Sequence, residues 1–457
     1  MTDKEKIASL DSQLSKAIDH IHDLEALILQ LRIGKTSKNS HKAPSSDISR
    51  KNQSLRQKSD KPVGGQPNHE GTTLKMSQTP DKVVALRSDF CSRCGQNLTS
   101  NEFTLTARRQ VIDIPPILPF TTEYQRYATH CSCGNCQVAD FPQGVENHVQ
   151  YGPNIQSLAV YQSQYQYLPF KRLQDFFSKI CNVSLSQGTI ANFIRRAAER
   201  ALPAYEAIHQ AIPQSSVVGS DETSYKLNGK KGWFWVWQNR SSTYIVAKTS
   251  RSKQVILDTF PEGLPNSILC SDRLAAQLST TSKGKQLCLA HLLRDLNYLI
   301  EAESGFSPNE RPWALEFKEL LQEAIKLKQK QDVYARSTPE CIELEQKLDN
   351  LLNQEYLQLL IEQDKKYKQT LTFFLAMSKL KYGLFPFLYH KDVPFENNGS
   401  ERAIRMIKVK TKISGQFKAL QQQFAIIRSD IDTAIKNGQS VYNAINAVVN
   451  CYPKAAE

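Results

Sequence analysis

No stretch of the 457-residue sequence is apolar for long enough to cross a bilayer as a helix. The polar opening Met1-Thr2-Asp3-Lys4-Glu5-Lys6 carries no signal-peptide pattern. Without either feature, a soluble cytoplasmic protein with no membrane partner is the expectation. Acidic side chains are in the minority: 45 Asp and Glu against 58 Lys and Arg leave a formal charge of +13, with a pI near 9.1. A deficit of that sign favours binding to phosphate backbones. An evenly spaced cysteine framework is also missing, since five of the ten cysteines are bunched between Cys91 and Cys136. That argues for a metal site in a reducing compartment rather than a disulfide scaffold. The length suits about three domains of roughly 150 residues each.

What is present begins with a heptad pattern over residues 1–33. Ile7, Leu14, Ile21 and Ile28 fall at one seam position and Leu10, Ala17, Leu24 and Leu31 at the other. Ile at a with Leu at d favours a parallel two-stranded coiled coil, so a homodimer or higher homo-oligomer is expected. Periodicity then vanishes over residues 34–83, where Lys, Ser, Asn, Pro and Gly dominate. Such a segment buries too little apolar surface to offset its ordering entropy and reads as a flexible basic linker.

Residues 84–145 carry two C-x-x-C pairs, Cys91 with Cys94 and Cys133 with Cys136. Four thiolates suit one structural Zn²⁺, with His130 and Cys131 as spare ligands. Residues 109–114 and 121–127 alternate and read as strands that would complete a zinc ribbon. Cys181, Cys270, Cys288, Cys341 and Cys451 are isolated and read as core residues. Residues 146–213 read as helices. Ser186 is a plausible N-cap for a second helix bearing Arg195 and Arg196, a pattern compatible with a DNA-binding helix-turn-helix.

The chemistry-bearing signatures lie further on, in Ser220-Asp221-Glu222-Thr223, Cys270-Ser271-Asp272-Arg273 and Asn397-Asn398-Gly399-Ser400-Glu401-Arg402. Asp221 and Asp272 each follow a short β-type run, whereas Glu401 opens a segment of helical spacing. Three carboxylates so placed suit Mg²⁺ or Mn²⁺, and two such ions can serve phosphoryl transfer, here the cutting and joining of DNA. Glu222, Asp295 and Glu396 are the rival carboxylates. Strands are expected at 216–220, 233–238, 243–248, 267–271 and 286–290, with a helix at 252–260. That is the order of a ribonuclease-H-like sheet, in which the first and fourth strands are neighbours, although other α/β orders stay open. In Gly232-Trp233-Phe234-Trp235-Val236-Trp237 both faces are apolar, which marks a central strand and makes the tryptophans core residues. Residues 214–295 would form the first part of this core, 296–393 an all-helical insertion, and 394–457 the last part with C-terminal helices. Glu401, Arg405, Lys408 and Lys412 recur at helical spacing and share one face, with Arg402 beside them.

The heptads, the linker Asn39-Ser40-His41-Lys42-Ala43-Pro44-Ser45-Ser46-Asp47, the paired Cys knuckles, Asp221-Glu222-Thr223, Ala290-His291-Leu292-Leu293-Arg294 and Asn397 to Arg405 follow in one order. In that order the chain resembles the transposases of the insertion sequence 66 family. The resemblance implies a multidomain α/β protein with a ribonuclease-H-like mixed-sheet core interrupted by an all-helical insertion. A coiled coil, a zinc-ribbon-like module and a helical DNA-binding segment would precede the core. Carried over by motif, Asp221, Asp272 and Glu401 would be the catalytic triad holding two Mg²⁺ or Mn²⁺ ions. His291, Arg294, Arg402, Arg405, Lys408 and Lys412 would contact DNA phosphate. The partners implied are the element's terminal repeats, target DNA and accessory proteins of the same element, in a bacterial, nucleoid-associated setting. A DNA-binding regulator with a silent core, or a nuclease that does not join ends, would carry the same residues.

Overall fold

The computed structural model describes residues 74–303, 312–353 and 364–451, together with residues 6–7, 9–18, 20–21, 24, 355 and 357–358. Residues 9–18 are helical, and Ile7, Leu10, Leu14, Ile21 and Leu24 are 44–63% exposed, so their apolar seam is uncovered within one chain. Ile28, Leu31 and most of the expected linker lie outside the described residues.

Strands β1 (Ala128–His130) and β2 (Cys136–Val138) pair antiparallel, with His130 opposite Cys136. The strands expected at 109–114 and 121–127 do not form. Alternation builds a strand only where one face finds a core. Here Val111, Ile112 and Ile114 are 66–92% exposed.

Helices α1 (Pro153–Gln164), α2 (Phe170–Ile180) and α3 (Gln187–Ala211) follow as expected, and the Ser186 side chain accepts the Thr189 N–H at 2.9 Å. Their apolar faces bury Leu173, Phe177, Ile190 and Ile194. The same cluster takes in Ile431, Ile445 and Val449 from near the C-terminus.

The central sheet comprises β3 (Val217–Leu227), β4 (Lys230–Gln238), β5 (Thr243–Lys248), β6 (Leu264–Ser271) and β7 (Ser282–Leu287). Its order is β5-β4-β3-β6-β7. β4 runs antiparallel to β3 and β5, while β3, β6 and β7 are parallel. The first and fourth strands of this sheet are neighbours, as expected. Several of its boundaries differ from the sequence reading, and β4, β6 and β7 begin at Lys230, Leu264 and Ser282, three or four residues earlier than expected. β3 runs through Asp221 to Leu227 because the hairpin to β4 extends the ladder, and the fifth strand ends at Leu287 because Cys288 already turns into the next helix. On β4, Trp235 and Trp237 face one layer with helix α4 (Lys253–Thr259) and the short α5 (Ala275–Leu278) nearby, whereas Phe234 and Val236 face the other. All four are at most 1% exposed, so these positions are core. Trp233 is partly buried, with Lys231 Nζ 4.6 Å from its ring centre.

Helix α6 (Leu289–Glu303) leads into α7 (Trp313–Lys330), α8 (Pro339–Leu351), α9 (Asp364–Leu380) and the short α10 (Pro386–Tyr389). Their core joins Phe317, Leu321, Phe374 and Phe387 to Ile268 and Leu287 of the sheet. The chain returns through α11 (Asn398–Ser414), which lies on β3 and β4, then α12 (Gln421–Lys436) and α13 (Val441–Asn450). Cys181, Cys270, Cys288 and Cys341 are buried as expected, but Cys451, the C-cap of α13, is exposed.

Candidate active site

Strand periodicity sorts the carboxylates of β3. Successive side chains point to opposite faces, so Asp221 lies on the side of α11 with Tyr225, while Glu222 lies on the side of Trp235. There Glu222 is paired with Arg251 at 2.5 Å and accepts from Gln277 Nε2 at 3.2 Å. Asp272 follows the last residue of the parallel neighbour β6. Glu401 occupies the first turn of α11, where the helix N-terminus favours negative charge.

Backbone links bring these segments together. Cys288 N–H donates to Ser271 O at 3.0 Å and Leu289 N–H to Phe395 O at 2.8 Å. Asn397 donates from its Nδ2 to Ser220 O at 2.7 Å and from its N–H to Cys288 Sγ at 3.3 Å, and its carbonyl accepts Glu401 N–H at 3.1 Å.

The resulting cluster is strongly acidic. Burial comes first, and the charges of Asp272, Glu222 and Glu401 add to it in pushing the Asp221 carboxyl well above the usual carboxylate range. His291 Nδ1 stands 3.1 Å from Asp272 Oδ1 and 3.8 Å from Glu401 Oε1. Glu401 Oε1 is buried and accepts no hydrogen bond from any described residue. Like charges crowded around an oxygen without a donor fit a divalent cation bound by hard oxygen ligands.

The rival carboxylates are otherwise engaged. Asp295 pairs with Arg273. Glu396 accepts from Asn398 Nδ2, and burial followed by the Glu401 charge raises its pKa against the opposing charges of Arg402 and Arg294. A cleft of about 560 Å³ opens beside the start of α11, lined by Gly219, Gln238, Arg240, Asn398 and Arg402 among others. Arg405, Lys408 and Lys412 form an exposed stripe on α11, and Arg195 and Arg196 are exposed on α3.

Cys288, read from the sequence as a core residue and buried as such, also lies beside this cluster. Its Sγ lies 3.2 Å from His291 Nδ1. The available signal was the i, i+3 spacing of Cys288 and His291 at a helix start, which sets two side chains on one face. Asn397 was legible only as part of its motif.

The cysteine knuckles are two similar turns. Gly95 N–H donates to Cys91 O and Cys91 N–H to Gln96 O; likewise Gly134 N–H donates to Cys131 O and Cys131 N–H to Asn135 O. N–H groups of Arg93 and Cys94 lower the Cys91 thiol pKa, and that of Cys133 lowers Cys131. The second turn spans Cys131 to Asn135, and Cys136 follows it as the first residue of β2. Among the described residues, no three of Cys91, Cys94, Cys131, Cys133 and Cys136 bring their ligand atoms within 4.8 Å of one another.

Among the described residues, no helix is long and apolar enough to cross a membrane. No curated protein sequence matches the chain. A family model described as transposase IS66 family matches residues 148–423, which is more than half of the 457 residues and runs from just before α1 to the start of α12, taking in Asp221, Asp272 and Glu401. The chain belongs to the IS66 family of transposases.

Proposed function

We propose that this transposase cleaves the ends of its element and joins the freed 3′-hydroxyl to target DNA, using Asp221, Asp272 and Glu401 as the carboxylates of one site. The observation that supports the reading is geometric: His291 Nδ1 stands 3.1 Å from Asp272 and 3.8 Å from Glu401, and Asn397 bonds the backbone beside Asp221 and the N–H of Glu401. The sheet order β5-β4-β3-β6-β7 supports a ribonuclease-H-like core with Asp221 on its central strand.

The three carboxylates would hold two Mg²⁺ or Mn²⁺ ions, which when bound supply activation of an attacking oxygen and stabilisation of a leaving one. Both proposed steps are in-line displacements at phosphorus, so one set of residues serves them in turn and no covalent protein nucleophile is needed. His291, its Nδ1 3.1 Å from Asp272 Oδ1, holds that carboxylate in place. Arg402, Arg405, Lys408 and Lys412 extend a basic stripe away from Glu401 along α11, suited to a DNA backbone, with Arg294 beside Glu396. Arg195 and Arg196 offer a second basic face on α3. The exposed seam of Ile7, Leu10, Leu14 and Ile21 would pair two copies and so hold two DNA ends together.

One Zn²⁺ would be held by thiolates of Cys91, Cys94, Cys133 and Cys136, with Cys131 the alternative fourth ligand. Metal analysis should find one zinc per chain in wild type and as much in Cys131→Ser. Less zinc in that variant would make Cys131 the fourth ligand.

The function is tested by assaying cleavage and strand joining on DNA carrying the element's own ends with Mg²⁺ or Mn²⁺. Asp221→Asn, Asp272→Asn and Glu401→Gln should each lose joining by at least about 10³-fold while still binding DNA. Wild type that binds the ends without cutting them would favour a regulator, and cutting without joined products would favour a nuclease.

A further inference from the structure

Three donors of mixed softness meet beside the carboxylate cluster. Cys288 Sγ, His291 Nδ1 and an Asp272 carboxylate oxygen all lie within 4.8 Å of one another. The His291 nitrogen is 3.2 Å from the sulfur and 3.1 Å from Asp272 Oδ1. A tetrahedral zinc ion with bonds of about 2.0–2.3 Å keeps its ligand atoms about 3.3–3.7 Å apart. These two separations need to open by only a few tenths of an ångström to admit an ion, and the sulfur lies within 4.8 Å of the Asp272 oxygen.

Thiolate and imidazole are also the wrong donors for Mg²⁺ alone. They select softer cations, whereas carboxylates by themselves suit hard ones. Around the three donors the supporting groups are in place. Asn397 N–H points at the sulfur at 3.3 Å, the kind of hydrogen bond that orients a ligating thiolate. Glu401 Oε1, buried and without a hydrogen-bond donor among the described residues, lies 3.8 Å from His291 Nδ1. An entry path exists, because the side chains of Asp272 and His291 keep 31% and 13% of their surface exposed although Cys288 is buried.

We propose that Cys288 Sγ, His291 Nδ1 and one Asp272 oxygen form a site for a thiophilic divalent cation of the zinc class, with Glu401 Oε1 facing the fourth position. On binding, the Cys288 thiol gives its proton to solvent, and the neutral imidazole carries its proton on Nε2 so that Nδ1 offers a lone pair. The site shares Asp272 with the carboxylate cluster, so a soft ion there excludes a hard one from that oxygen. That consequence alone rests on the transposase reading; the binding does not.

The test is a Co²⁺ titration of the reduced full-length chain, followed by the thiolate-to-cobalt charge-transfer absorption, in wild type and Cys288→Ser. Cysteines 91–136 contribute to both spectra, so the difference isolates Cys288. The expected difference band saturates at one Co²⁺ per chain and is abolished by added Zn²⁺. His291→Gln, read in the same way, should weaken this binding by roughly tenfold or more, and it carries the test should Cys288→Ser fail to fold. Superimposable titrations of wild type and a folded Cys288→Ser would overturn the site, leaving only an Nδ1–H hydrogen bond to Asp272. A difference band unmoved by His291→Gln would overturn it as well.

Discussion

Although it carries no charge, Asn397 ties the segments of Asp221 and Glu401 to Cys288, whose own N–H bonds the backbone beside Asp272. Its side chain reaches the backbone next to Asp221, its N–H reaches Cys288 three residues before His291, and its carbonyl starts the helix of Glu401. Asn397→Ala leaves the Ser220 carbonyl without this donor and should cost about 1–3 kcal/mol in urea unfolding. Joining should fall further than stability explains, by about 10²-fold, because sub-ångström placement governs in-line reactions. The distinguishing readout is the Mn²⁺ concentration needed for half-maximal joining, which should rise. An unchanged metal requirement would make Asn397 merely structural. Residue chemistry of this kind was partly legible. Asp221, Asp272 and Glu401 stood out because carboxylates in short polar motifs have few core roles, whereas the contacts of Cys288 depend on which element comes to rest above it.

At the scale of elements, the approach of α11 to the sheet depends on two glycines. A Cβ on Gly399 would stand 2.4 Å from Gln238 Nε2, and one on Gly219 would meet the same atom at 2.4 Å and Ser400 Oγ at 2.7 Å. Gln238 cannot swing away without losing Lys436 Nζ, which donates to its Oε1 at 2.7 Å. Gly399→Ala should therefore lift the start of α11 and Glu401 with it. The cost should be about 1–3 kcal/mol in thermal unfolding, with joining reduced. Combining it with Gln238→Ser should restore part of the stability, and no restoration would locate the strain elsewhere. Helices and most strands followed from periodicity, as with the two apolar faces of β4. The expected strands at 109–114 and 121–127 failed because alternation reports a face without reporting whether anything covers it.

The molecule as a whole hides several lysines that ordinarily stay in water. Burial lowers the pKa of Lys285 and of Lys410 from 10.5 to about 8. Depressed lysines contribute stability that is fully present above the unfolded value of 10.5 and is lost as pH falls through about 8. In that window the unfolded chain binds more protons, so stability should rise with pH. Urea unfolding at about pH 8 and about pH 10 should show the rise, and Lys285→Met with Lys410→Met should flatten it by roughly 1–3 kcal/mol per site. A slope unchanged by the pair would refute the assignment. At the other end of the chain, deletion of residues 1–33 should halve the mass measured by light scattering if the exposed seam is the dimer contact. An unchanged mass would place that contact elsewhere.

Sequence alone determined the local features: helix periodicity, the double-faced strand β4, the basic excess, and the short motifs carrying Asp221, Asp272 and Glu401. Each depends on residue type and near-neighbour spacing, which the chain carries without folding. Tertiary structure decided which groups meet. Pairing of β3 with β6 across a long crossover, the return of α11 after about a hundred residues of helices, and the turn at Cys288 bring carboxylates, imidazole and thiol together. The same pleat sends Glu222 to the opposite face. Such meetings are set by long-range packing, where the entropy of closing large loops is offset by cores that join residues far apart in sequence. No local pattern records them.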